Sequence, residues 1–204
     1  MTMYDQPVPK PHGFATFRVS NMPYHHLMSA DVNERRLPRA EDEARFWALV
    51  ETAWAPCSAE ANRVRRALAA RAPDPDADLS AVDGALPVFL GTLADQCRTL
   101  PGDELTSLDR VLERKLYDID RADIQAVTDG SDDGFLYARG FIVAMGRNFY
   151  DAVASDPQVA VRDAECEEMC YFFAHLCDDQ FGEFPDTGSG ISRESRSNLM
   201  AWIC

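Results

Sequence analysis

Apolar residues recur at steps of three and four along most of the chain after residue 40, and that spacing predicts helices. The strongest run follows Gly130-Ser131-Asp132-Asp133-Gly134. Phe135, Ala138, Ile142, Met145, Phe149 and Ala152 form one stripe, and Tyr137, Phe141, Val143 and Val153 fall off it. A helix that is apolar nearly all round is buried on several sides, so Phe135 to Ser155 reads as one central helix. Ser131 or Asp132 can accept from its first free N–H groups, and Asp133 adds negative charge where the helix dipole is positive. Asp156-Pro157 stops it, because the residue before a proline avoids the helical region. Gly140 and Gly146 each cost about 1 kcal/mol against alanine inside a helix. Their presence points to another backbone, or a ligand, approaching closely.

The same spacing predicts the neighbours. Phe46, Trp47, Val50, Ala53 and Trp54 mark a first helix, closed by Pro56. Ser58 caps a second through about Arg71, with Val64, Ala67 and Leu68 inward and Arg63, Arg65 and Arg66 largely outward. Pro73 to Asp78 is a linker. Leu86, Phe89, Leu90, Leu93 and Cys97 mark a third helix, broken by Leu100-Pro101-Gly102. From Asp103 or Thr106 a long helix carries Leu105, Leu108, Leu112, Leu116 and Ile119 on one face and continues through Ala122 and Ala126. After a short loop to Asp163, a further stripe holds Cys166, Met169, Cys170, Phe173, Leu176 and Cys177. Asp186 to Ser192 reads as loop, and Ser192 to Ile203 as a terminal helix docking Leu199 and Trp202.

Residues 1–40 differ. Pro7, Pro9, Pro11, Pro23 and Pro38 exclude a long helix there, and Phe14 to Val19 suits one strand or an extended arm. The expected fold is all-α: an extended N-terminal arm (1–40), a helical core domain (41–160), and a C-terminal helix and tail (161–204) packing on the core.

Composition narrows the partners. Across 204 residues the formal net charge is −14, and the pI is about 4.6. Residues 1–40 hold five Lys/Arg against three Asp/Glu, so the remainder carries −16. Nucleic acid and anionic membrane would be repelled, whereas a basic protein or peptide would be attracted. Met1 to Pro11 is polar and proline-rich, unlike a secretory signal. No apolar run approaches the roughly 20 residues of a membrane span. Six cysteines without framework spacing suit a reducing cytoplasm.

Candidate chemistry lies along the central run. Arg139 and Arg147 are roughly 80° apart around a continuous helix and so share one side. A buried arginine needs a carboxylate or a phosphate, and Asp151, one turn on, can pair with Arg147. A ligand site would form where Asp132, Asp133, Tyr137, Arg139 and Arg147 meet Trp54 or Asp109. Cys166, Cys170 and Cys177 share a face with Met169, Phe173 and Leu176, which reads as core rather than metal, and His175 points away. His25-His26 points two ways and makes a poor metal clamp. Ser131-Asp132-Asp133-Gly134 lacks the ligand series of a calcium loop. There is no Gly-x-Ser-x-Gly elbow and no phosphate-cradling glycine loop. Neither a metal nor a cofactor is expected, and no catalytic residue is singled out. Cys204 offers a terminal thiol for attachment or oxidation.

Phe46-Trp47, Leu100-Pro101 ahead of Leu105 and Leu108, Thr128 to Phe135, and Arg139 to Arg147 together resemble the bacterial family catalogued as domain of unknown function 4240. The resemblance covers roughly Glu41 to Val159. Its most specific part is Ser-Asp-Asp-Gly-Phe followed by Tyr137, Arg139, Gly146 and Arg147. The family often has Phe where this chain has Ala138. The resemblance implies a small, single-domain, cytoplasmic helical protein and transfers no activity.

Two functions remain open. One is a non-catalytic acidic binding protein, regulatory or immunity-like, recognising a basic protein or peptide. The other is an enzyme or accessory protein of a peptide or specialised-metabolite pathway, with its site around Asp132, Asp133, Arg139 and Arg147.

Overall fold

In the computed structural model the described residues are 37–70, 78–128 and 130–203. The arm with its strand-like run and His25-His26, most of the 73–78 linker, and Cys204 lie outside them. Among the described residues the fold is all-α, with α1 (Ala40–Ala53), α2 (Ala59–Ala70), α3 (Ser80–Asp83), α4 (Leu86–Cys97), α5 (Gly102–Asp118), α6 (Ala122–Thr128), α7 (Asp132–Ala144), α8 (Arg147–Ser155), α9 (Glu167–Cys170) and α10 (Phe172–Phe181).

The central run is at the centre, but it is two helices. Ser131 caps α7, its hydroxyl accepting from the Gly134 amide at 3.1 Å. Every residue from Phe135 to Ala144 is buried except half-buried Tyr137. The helix then stops at Met145, because Gly146 takes φ +91°, a conformation that favours glycine. The break frees carbonyls that other elements satisfy. Trp54 Nε1 donates to Ala144 O at 2.8 Å, and Arg65 Nη1 to Met145 O at 3.0 Å. Arg65 is therefore buried rather than outward, held by Glu51 through bonds of 2.9 and 2.6 Å. Ala67, expected inside, is exposed.

α7 packs against α9 and α5, α5 against α10 and α1, α1 against α4, and α2 against α8. Gly140 is the point of closest approach. A Cβ there would meet Cys166 O and lie 2.7 Å from Cys170 Sγ, so α9 rests directly on the α7 backbone. Trp54 stacks on Phe89, and Phe46 packs on Trp47 and Phe173, joining the core across α1, α4 and α10.

Three further expectations need correction. The long helix from Asp103 does not run on to Ala126; it ends at Asp118, and α6 starts afresh at Ala122. The C-terminal stripe is interrupted at Tyr171, which separates α9 from α10. The terminal helix does not form. Residues 186–198 carry no helix, and only Leu199–Ala201 makes a 3₁₀ turn. Leu199 is 67% exposed instead of docking, while Trp202 does dock, edge-on to Phe135. No described helix is long and apolar enough to cross a membrane.

Candidate functional site

The last turn of a helix leaves carbonyls without intrahelical partners, and at the end of α5 these gather side chains from several elements. Tyr150 Oη donates to Lys115 O at 3.1 Å, Arg139 Nη1 to Leu116 O at 2.9 Å, and Asn198 Nδ2 to Tyr117 O at 3.1 Å. A cation at this end also suits the helix dipole. Arg139 is fully buried and is answered by neutral oxygens, not by a carboxylate. Its Nη2 reaches Arg193 O at 2.8 Å and Ser195 Oγ at 3.1 Å, and its guanidinium lies 4.9 Å from the Phe135 ring centre. Burial lowers its pKa and the nearby Asp120 opposes that shift. Its Nε has no partner.

Carboxylates also face inward along α5. Asp109 and Glu113, one helical turn apart, are both buried. Arg193 Nη2 meets Asp109 Oδ2 at 2.5 Å, Arg193 Nη1 donates to Cys170 O at 2.9 Å, and the guanidinium lies 5.1 Å from the Tyr171 ring centre. Desolvation raises the Asp109 pKa, against the pull of Arg193. Asp109 Oδ1 lacks a hydrogen bond of normal geometry; the Ala174 amide favours the charged form without making one. Glu113 Oε2 accepts from Thr187 Oγ1 at 2.7 Å and from Ser189 Oγ at 2.5 Å. Just past α5, buried Asp120 accepts from the Arg196 and Asn198 amides at 2.9 and 2.8 Å and from Trp202 Nε1 at 3.1 Å.

The residues expected to share one site are dispersed. Asp109 and Arg139 belong to this network, and Asp132 touches its rim: its carbonyl accepts from Ser195 Oγ, and its exposed carboxylate lies 3.3 Å from Arg196. Asp133 is exposed at the same helix end. Tyr137 is half-buried; Glu167 beside it, burial and Asp133 raise its phenol pKa. Trp54 sits at the other end of α7, roughly 18 Å along the axis. Arg147 lies beyond the break, 60% exposed, with Asp151 at 3.4 Å. The Gly146 break removes the common side that one continuous helix would have given the two arginines. Sequence reasoning missed Glu113, Asp120, Thr187, Ser195 and Arg193. One signal was available: Asp109 and Glu113 fall beside Leu105, Leu112 and Leu116 on the core side of α5.

A second feature lies outside. Between α4 and α9–α10 a groove of roughly 390 Å³ is floored by Ala94, Tyr171, Phe172 and Leu176 and edged by Glu167, Glu168 and Asp179. His175, also on the lining, faces Tyr171 and Phe184. Tyr171 belongs to both features, since its Oη donates to Glu194 at 2.8 Å and its ring carries Arg193. Among the described residues no group of three His, Cys, Asp or Glu is placed to hold a metal ion.

The family model described as "Protein of unknown function (DUF4240)" matches residues 42–179. The match therefore takes in α9 and most of α10, beyond the Val159 limit read from the motifs. No curated protein and no solved structure matches the chain.

Proposed function

The chain belongs to the DUF4240 family, whose description names no activity, and we propose that it is a non-catalytic binding protein for a basic protein or peptide segment. The observation that carries this reading is the groove beside α10. Its floor is apolar, three carboxylates edge it, and neither Lys nor Arg lines it. An amphipathic cationic segment fits that chemistry: its apolar side chains cover Tyr171, Phe172 and Leu176 while its cations meet Glu167, Glu168 and Asp179. The formal net charge of −14 steers such a partner inward and disfavours nucleic acid. Nothing comparable supports an enzyme. Asp109 and Arg139 are engaged by the chain's own groups, and Arg147 stands apart. Among the described residues the five cysteines are buried and unpaired, which suits a reducing, cytoplasmic setting.

The test uses a fluorescent peptide of alternating arginine and leucine, with glutamate replacing arginine in the control. Binding of the arginine peptide to the full chain is expected to weaken at least tenfold between 50 and 500 mM salt, and again when Glu167, Glu168 and Asp179 are neutralised. Binding that ignores both salt and these substitutions overturns the reading.

A further inference from the structure

The C-terminal segment is a poor candidate for a purely structural element. Residues 186–203 contain one 3₁₀ turn and otherwise no helix. They hold to the core by separate polar anchors at Glu113, Asp109, Arg139 and Asp120. Those four core residues lie inside the family match, whereas the tail residues that meet them lie beyond its end at 179; Leu116, inside the match, takes one further bond from Arg139. The channel beneath the segment is thus built from family positions and filled from outside them.

Its chemistry selects a particular occupant. Asp109, the Cys170 carbonyl and the Tyr171 ring present a carboxylate, an acceptor and an aromatic face to one side chain. That combination suits a planar guanidinium and serves an ammonium less well. Asp120 and Arg139 read mainly backbone N–H and C=O groups, which any segment in the same conformation carries. Glu113 reads the hydroxyls of Thr187 and Ser189, and its other oxygen lies 3.9 Å from Arg193 Nε as a second carboxylate beside the guanidinium. The tail does not satisfy everything: the buried Arg139 Nε has no partner. A buried donor without a bond is destabilising, so Arg139 is not fully satisfied with the tail in place.

We propose that this channel is an arginine-accepting peptide site kept occupied by the chain's own tail. A basic partner enters it by inserting an arginine from an extended segment with hydroxyl-bearing neighbours, displacing residues 186–203. The inference rests on the basic-partner reading above and specifies the group that the partner inserts. Exchange replaces each contact by its like, so no buried charge is left unpaired at the end. A tethered tail competes at an effective concentration on the order of millimolar. Free ligand therefore binds the intact chain weakly, and loosening the anchor raises its affinity.

The experiment titrates a labelled peptide of residues 186–203, and its citrulline analogue at position 193, into full-length chains. Arg193→Lys keeps a charge beside Asp109 and so preserves the fold, verified by circular dichroism. It is expected to take up the arginine peptide at least tenfold more tightly than the unaltered chain does, and to take up the citrulline analogue at least tenfold more weakly. Arg193→Ala is expected to lose thermal stability and regain part of it in millimolar methylguanidinium, which the unaltered chain does not. A folded Arg193→Lys chain that ignores the peptide at millimolar concentration overturns the proposal, as does equal binding of the two peptides. Glu168→Lys separates the two readings. It is expected to abolish binding of the alternating arginine–leucine peptide and leave uptake of the tail peptide by the Arg193→Lys chain unchanged.

Discussion

Arg193 Nη2 lies 2.5 Å from Asp109 Oδ2, across 84 positions of sequence, with both side chains buried. The pair fastens a segment without regular structure to the inner face of α5. Breaking a buried pair leaves the other charge uncompensated, which typically destabilises by about 3–5 kcal/mol. Arg193→Ala and Asp109→Asn are each expected to lose about that much in denaturant unfolding. The double variant is expected to lose less than the sum, since neither charge then remains alone.

Gly146 and Gly140 are expected to resist substitution for different reasons. At Gly146 an alanine must adopt φ +91°, a strain of about 1–3 kcal/mol. Its Cβ would also lie 2.9 Å from Arg65 Nη1. At Gly140 the backbone conformation is ordinary helix, but the Cβ would run into Cys166 O, so α9 must move. Thermal melts of Gly146→Ala and Gly140→Ala are expected to fall for both. Only Gly140→Ala is expected to hasten hydrogen exchange of the Cys166 amide, which bonds to Tyr137 O at 3.0 Å.

The Glu51–Arg65 pair supplies a pH dependence. The hydrogen bond from Arg65 is the largest cause of the lowered Glu51 pKa, with burial opposing it. A depressed carboxylate contributes stability above its unfolded pKa, about 4.3, and loses it as pH falls through the lower folded value. The Tm difference between the unaltered chain and Glu51→Gln is therefore expected to be constant from pH 7 to 5 and to shrink below about 4.3. A difference that grows on acidification contradicts the assignment.

Thiol chemistry is expected to be slow in the folded chain. Burial pushes Cys166 and Cys170 up to about 12 and Cys97 up to about 11. The nucleophile is the thiolate, so site-resolved alkylation at pH 8 is expected to leave these three unmodified until denaturant is added. Rapid labelling of Cys170 in native buffer would mean that α9 opens from α7.

Local signals determined the helical class, the burial of the run that starts at Phe135, a cap at Ser131 or Asp132, the Asp156-Pro157 stop and the core role of the C-terminal cysteines. These follow from local rules: side-chain spacing, capping oxygens and proline sterics act within a few residues of one another. The motifs also sufficed for the family, while the match extended through α9 and most of α10. Tertiary structure decided the rest. α5 ends where Asp120 is drawn to amides some 76 and 78 positions away, and the central helix breaks where Arg65 and Trp54 cap its freed carbonyls. The segment around Arg193 has no apolar period to announce it, because its anchors are single polar bonds to distant groups. Asp109 could be picked out within its helix, but its partner could not: a buried charge must be satisfied, and only the folded chain settles which group does so.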